Sequence, residues 1–437
     1  MSKKNGKQVP ESKSIYFQSL KLEDVLCFKG QQRINLANTK GQPAQWTVIL
    51  GNNNTGKTTL LRCIAALDVI IVEDPSPRVS EIYGIKLMWP DIHFDRSERF
   101  KISAKLLFQN RITDDEKKIE DVDYGFEVFN EEKKYMLPSW GSFGASKNLQ
   151  TCIFSYGASR KMSKKSIAEV ENGNTHASLF ENEELANVED WLLNLSLSNQ
   201  LGSTLALAHL NLAKHILTSG ILPDVKEVQL KSQEKGSGFE NFVEFLTDYG
   251  WVRLRDLGYG YQTMIAWVLD LVRRMIERYS DLEDPLSGPA VVLVDEIDLH
   301  LHPDWQRRII AHLTHYFPNV QFIVTAHSPL VVQSAEEINL VILKKEADHV
   351  SIEQPLIHSF KGWTVEEILT DLMQLEGQTM SQTYLDWMQR FDEALDEDDY
   401  GKAAAAYTEL DKILHPESQQ RKLMKIQMAS IPPVETV

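Results

Sequence analysis

Two textures alternate along the chain. Short apolar runs that stop at polar or glycine-containing loops recur at residues 47–50, 290–294 and 321–325. A run of this length, apolar at nearly every interior position and bounded by turn residues, is the pattern of a strand buried on both faces. Helical spacing follows the first run over residues 60–67 and returns over 184–222, 257–278 and 305–317. Residues 15–36, 100–108, 124–129 and 151–154 alternate or run apolar between polar turns. The first of these segments predicts two or three strands in a sheet flanking the strand at 47–50, and the others predict an antiparallel meander. Residues 239–254 predict strands across the turn at 247–250, and residues 340–343 with 350–352 predict a hairpin. Everything after Val365 reads as helix, over 365–375, 383–395, 400–414 and 417–428.

At 437 residues the chain exceeds one ordinary domain. The expected division is a polar, disordered leader over 1–14, an α/β head over 15–360 with an inserted lobe over about 175–256, and a helical region over 361–437. No apolar run approaches the ~20 residues of a membrane span. The basic opening, Lys3, Lys4 and Lys7, is not followed by an apolar segment, so no signal peptide is expected. Cys27, Cys63 and Cys152 have no metal-site spacing and predict buried structural thiols in a reducing cytoplasm. A net charge of −16 disfavours a protein that coats nucleic acid through its overall field. Local basic patches remain at Arg160-Lys161 with Lys164-Lys165, and at Arg421-Lys422 with Lys425.

Candidate chemistry sits where strands end. The run 47–50 enters Gly51-Asn52-Asn53-Asn54-Thr55-Gly56-Lys57-Thr58-Thr59, a G-x-x-x-x-G-K-T loop leading into a helix. Glycines at the loop's ends let successive N–H groups turn inward around a phosphate chain at a helix N-terminus. Lys57 would reach the β- and γ-phosphates, and the Thr58 hydroxyl would ligate Mg²⁺. Residues 290–294 end in Asp295-Glu296, a Walker B arrangement in which Asp295 holds Mg²⁺ and Glu296 is the general base.

Lys57 and Asp295 are 238 residues apart, which fits an ABC-type head interrupted by an inserted lobe. On that reading His327, at the end of the next strand, takes the place of the switch histidine that senses the γ-phosphate. Asp298 opens the D-loop, residues 298–303, whose His300 and His302 lack further ligands at metal-site spacing. Gly258-Tyr259-Gly260 occupies the place of the signature loop that faces the partner's nucleotide in trans. The usual L-S-x-G pattern has a serine where Gly258 stands, and its absence bears on closure and turnover.

These motifs, with Tyr156-Gly157-Ala158-Ser159-Arg160 and Thr325-Ala326-His327-Ser328-Pro329, resemble the RecF/OLD-like branch of ABC-type ATPases. Within it the chain is similar to the stand-alone ATPases of phage defence, the PtuA-type subunit of Septu and the retron-associated ATPases. The resemblance implies an ABC-type P-loop head with a mixed sheet, an antiparallel β subdomain, an inserted helical lobe and a helical tail. It implies ATP and Mg²⁺ as cofactors and a homodimer or higher homo-oligomer. It also implies a separate nuclease or effector partner, HNH first and TOPRIM second, with DNA or a phage component as a further partner and no membrane. Asp121-Val122-Asp123 is read as an acidic surface loop rather than a fused nuclease motif. Arg160 has three readings: it reaches a phosphate, acts across a dimer, or pairs with an acidic neighbour. The basic, methionine-containing segment 421–428 either docks a partner or packs on its own chain. Two other functions stay open, a RecF-like repair ATPase binding DNA directly and a nucleotide-dependent scaffold with little hydrolysis.

Overall fold

Strands apolar on both faces assemble into one sheet, and alternating strands into others. The computed structural model describes residues 14–68, 99–109, 119–129, 134–136, 152–167, 175–373 and 380–429. The expected leader lies outside these residues except for Ser14. In chain order the strands are β1 (Ser14–Val25), β2 (Phe28–Asn35), β3 (Trp46–Gly51), β4 (Arg99–Gln109), β5 (Ile119–Phe129), β6 (Lys134–Met136) and β7 (Ile153–Tyr156). They continue with β8 (Glu227–Lys235), β9 (Gly238–Thr247), β10 (Gly250–Arg253), β11 (Ala290–Val294), β12 (Val320–Thr325), β13 (Asn339–Lys345) and β14 (Val350–Glu353).

The central sheet has the order β14-β13-β3-β12-β11-β7, parallel except for β14. Every residue of β3, β7, β11 and β12 is buried. The strand that leads into the glycine loop and the one that ends in Asp295 are therefore neighbours once removed, with β12 between them. Helix α1 (Lys57–Ala65) follows β3 and packs Leu60, Leu61 and Ile64 into a core shared with Phe17, Leu20 and Leu22 of β1. The antiparallel sheet β2-β1-β4-β5-β6 supplies the other side of that core. Beyond β7 come α2 (Ala177–Phe180), α3 (Val188–Gln200), α4 (Thr204–Ile216) and the sheet β10-β9-β8, followed by α5 (Tyr259–Arg278). The mixed central sheet, accompanied by two antiparallel sheets and by helices, makes this an α/β fold of the class expected.

Three expectations are corrected. β7 does not belong to the meander but pairs in parallel with β11, because a strand buried at every position fits a sheet covered on both faces. Asp121-Val122-Asp123 lies in β5, where register with Lys105, Leu106 and Leu107 of β4 supplies ladder partners that override the poor strand propensity of aspartate. The amphipathic segment 305–317 is split into α6 (Pro303–Gln306) and α7 (Ile309–Tyr316). Strands β6 and β8 went unread; the exposed outer half of β8 explains its weak apolar signal. Helix α8 (Pro329–Ser334) follows β12.

The chain divides into two units, 1–363 and 364–437. The second contains α9 (Val365–Glu367), α10 (Gln382–Asp396), α11 (Tyr400–Ile413) and α12 (Gln419–Ala429). Its core joins Phe391, Ala403, Leu410 and Met424. Met424 of the segment 421–428 thus packs inside its own unit, and Arg421 is paired with Asp411.

A side-chain amide ties the central sheet to the antiparallel one. The register of β1 against β4 shifts between Phe17 and Ser19, leaving Gln18 as an extra residue. Gln321 of β12 fills the gap: its Oε1 accepts from the Phe17 N–H at 2.8 Å and its Nε2 donates to the Phe17 carbonyl at 2.8 Å. Gln321 is 2 % exposed, so water cannot replace it. Gln321→Leu should lower stability by about 1–3 kcal/mol for each main-chain group left unsatisfied. Denaturant titration measures this, and parental stability in the leucine variant would refute the bridge.

Candidate functional site

The loop between β3 and α1 turns back on itself through two left-handed residues, Asn54 (φ 63°) and Gly56 (φ 86°). Gly56 is required twice over, since a Cβ there would stand 2.6 Å from Cys27 Sγ and 2.9 Å from Phe28 Cζ. At the loop's entry a Cβ on Gly51 would meet Thr55 Oγ1 at 2.5 Å, and that hydroxyl instead donates to the Asn52 carbonyl at 2.8 Å. Lys57 Nζ donates to the carbonyls of Gly51 (2.8 Å) and Asn52 (3.0 Å), holding the ammonium inside the loop. Burial lowers the Lys57 amine, against the opposing pull of Glu296, Asp295 and Asp298. Asn52, Asn53 and Asn54 face solvent, and Thr58 and Thr59 are half-buried at the start of α1.

Asp295, 5 % exposed, joins the loop to the neighbouring strands. Its Oδ2 accepts from Thr58 Oγ1 at 2.7 Å, and its Oδ1 from Thr325 Oγ1 at 2.7 Å. The Thr325 hydroxyl in turn accepts from the Glu296 N–H at 2.6 Å. Glu296 has left-handed backbone (φ 49°), and its carboxylate lies 3.9 Å from His327 Nε2. The His327 N–H donates to Asp298 Oδ2 at 3.0 Å. Thr58, Asp295, Glu296, Asp298, Thr325 and His327 thus form one hydrogen-bonded or closely apposed set at the ends of β11 and β12.

Arg160 lies beneath this set and is 2 % exposed, so it belongs to no surface patch. Its Nη2 donates to the Glu296 carbonyl at 2.8 Å. Among the described residues, Arg160 Nε and Nη1 and the nearby Asp298 Oδ1 have no hydrogen-bond partner. Burial brings the Arg160 guanidinium down to about 10 despite Asp295, Asp298 and Glu296.

The signature segment borders the D-loop of its own chain. A Cβ on Gly260 would stand 2.3 Å from the His300 carbonyl, and the Tyr259 ring meets the His300 ring edge-on at 4.8 Å. His302 caps α6 by accepting from the Asp304 N–H. No group of three or more His, Cys, Asp or Glu positioned for a metal occurs among the described residues. Gly258 is exposed at the N-cap of α5, where a Cβ would find no described neighbour closer than 3.9 Å. No hydrogen bond joins residues 258–260 to the loop 51–59 among the described residues.

Two buried networks escaped sequence reasoning. Asp270 of α5, with no exposure, is held by Arg273 (2.9 Å), Arg274 (2.6 Å) and the Tyr156 hydroxyl (3.2 Å). Burial would raise its carboxyl, but Arg274 and Arg273 outweigh that and keep it low. Ser155, His176 and Asp68 form a relay with contacts of 2.8 and 3.0 Å. Ser155 and His176 are each 2 % exposed, so this arrangement ties the end of α1 to β7 rather than presenting a nucleophile. The three cysteines are free thiols, and Cys63 is fully buried as expected, whereas Cys27 and Cys152 are partly accessible.

The sequence pattern of the family described as "AAA domain, putative AbiEii toxin, Type IV TA system" matches residues 46–333, from the first residue of β3 into α8. The chain belongs to this AAA-domain family. It is 36% identical over 206 residues to Septu protein PtuA of Bacillus thuringiensis, covering 45% of this chain and 50% of that protein. It is 37% identical over 148 residues to the Retron Vc95 probable ATPase of Vibrio cholerae, covering 29% of this chain and 28% of the other. The matches span half or less of these relatives' lengths, and they bear out the resemblance to PtuA-type and retron-associated ATPases. The SMC head domain from Thermotoga maritima aligns with 78% of this chain and all of its own, at 13% identity and a TM-score of 0.39.

The two glycines of the signature segment should respond differently to added side chains. Gly260→Ala forces a methyl against the His300 carbonyl and should cost about 1–3 kcal/mol. Gly258→Ser restores the usual residue into open space and should leave stability equal or a few tenths of a kcal/mol higher through capping of α5. Equal denaturation midpoints for the two variants would contradict the packing of Gly260 on the D-loop.

Proposed function

We propose that the chain binds and hydrolyses ATP and that this activity controls a separate effector protein in a defence complex. The observation that carries the reading is the run of hydrogen bonds from Thr58 through Asp295 and Thr325 to the Glu296 N–H, which links the phosphate loop to the residue assigned as base. The Thr58 hydroxyl and the Asp295 carboxylate form an all-oxygen pair, the donor chemistry Mg²⁺ takes when phosphates and waters complete its shell. These two residues would hold the ion, which when bound neutralises charge on the phosphates.

The chain's own groups then divide the work. Gly51, Asn52, Asn53, Asn54, Thr55, Gly56 and Thr59 shape the loop whose N–H groups and α1 N-terminus receive the phosphates. Lys57 supplies the fixed positive charge within it. Glu296 takes a proton from water as the water oxygen attacks the γ-phosphorus and the bond to the ADP oxygen breaks. His327, beside the Glu296 carboxylate, senses the γ-phosphate. Gly258, Tyr259 and Gly260 complete the site of a second copy in trans, so turnover depends on a homodimer or higher homo-oligomer. A separate nuclease, of the HNH type before the TOPRIM type, is the effector this assembly would hold. The kinship with Septu protein PtuA and the Retron Vc95 probable ATPase, both matched over part of their length, supports the ATPase part of this reading.

Glu296→Gln should keep ATP affinity, abolish steady-state turnover and accumulate the closed dimer. Equilibrium binding, phosphate release and sizing in the presence of ATP measure the three outcomes. Turnover at the parental rate would remove Glu296 from the role of base.

A further inference from the structure

We propose that Arg160 is a positioning residue that acts through the main chain of Glu296, fixing the direction in which the base points. The proposal rests on the assignment of Glu296 as base. It accounts for an otherwise costly arrangement, because both residues have left-handed backbone, φ 49° at Glu296 and φ 36° at Arg160. Each such conformation strains a non-glycine residue and persists only where the surroundings impose it.

At Glu296 the surroundings do so from both sides of the residue. The N–H is held by Thr325 Oγ1 at 2.6 Å. The carbonyl accepts from the Leu299 N–H at 3.0 Å, which closes the turn, and from Arg160 Nη2 at 2.8 Å. With both flanking peptide groups pinned, the side chain leaves the backbone in one direction, toward His327. The Glu296 carbonyl is the hydrogen-bond acceptor that engages the Arg160 side chain among the described residues, while its Nε and Nη1 engage none there. A guanidinium 2 % exposed neither reaches solvent nor extends to another copy of the chain. Of the three roles read from the sequence, contact across a dimer is thereby set aside, and pairing with an acidic neighbour takes the form of a bond to that neighbour's backbone.

Arg160 itself is held in place by the site's architecture. It ends the loop that begins at Tyr156, whose hydroxyl is anchored on Asp270 of α5, and the Ser159 carbonyl accepts from the Tyr259 hydroxyl at 3.3 Å. The direction of the base is therefore set by a residue anchored near the signature segment.

The test compares Arg160→Met and Arg160→Lys in the intact chain, alone and combined with Glu296→Gln. ATP affinity is followed by equilibrium binding and the chemical step by single-turnover hydrolysis. Arg160→Met should lower kcat by about a hundredfold, the effect of misplacing a reacting group by an ångström, with ATP affinity unchanged. Arg160→Lys keeps one donor and should lose less. Added to Glu296→Gln, Arg160→Met should cause no further loss of the residual rate, since a base that is gone cannot be misdirected. Losses that multiply in the double variant, or a fall in ATP affinity alongside kcat, would overturn the proposal. If Arg160→Met does not fold, Arg160→Lys decides, and parental kcat in that variant overturns it. Parental turnover in Glu296→Gln alone would instead mean that the assignment of the base has failed, and this proposal with it.

Discussion

The site depends on one buried carboxylate shared by two hydroxyls. Asp295 stands at the end of β11, Thr325 at the end of β12, and Thr58 on the helix that follows β3. A carboxylate removed from water needs donors, and here each comes from a different element of the fold. The strand order makes this possible, because β12 runs between the other two and delivers Thr325 midway between the phosphate loop and the acidic pair. Thr325 then passes the constraint on to Glu296 by using the remaining side of its hydroxyl. Glycine loop, acidic strand end and histidine strand end are one connected object, so a shift in any of them is felt by the others.

What could be read in advance was whatever is encoded locally. Gly51, Gly56, Lys57 and Thr58 mark a glycine loop entering a helix by spacing alone, and Asp295 and Glu296 mark the end of a buried strand by following an apolar run. What could not be read depends on residues far away along the chain. Arg160 stands beside Lys161 and looks like surface charge; it is buried because β7, just before it, joins the central sheet rather than the meander. The two misreadings have a single cause, since a short strand of four residues carries no mark of which sheet it will enter. Thr325 was visible only as a member of a motif, and its double hydrogen bond requires partners from elements it does not adjoin in sequence. Gln321 in an apolar strand would be expected to weaken that strand, and only the bulge in β1 explains it.

The charge of the site follows the same logic of compensation. Lys57 and Arg160 face Asp295, Glu296 and Asp298, so the pocket holds more carboxylates than cations before any ligand enters. A triphosphate would bring further negative charge into partly desolvated space. On the proposed function, a divalent cation held by Thr58 and Asp295 would offset that excess.

The amide of Gln321 and the extra residue Gln18 form a mutually dependent pair. Removing Gln18 would restore regular pairing of β1 with β4 and leave a buried amide with nothing to bind, while replacing Gln321 alone would strand the main chain of Phe17. Neither position can drift independently, although 303 residues separate them in the chain. Epistasis of this kind would show in related sequences as correlated insertion and substitution, linking the length of the first strand to the identity of a residue near the start of β12.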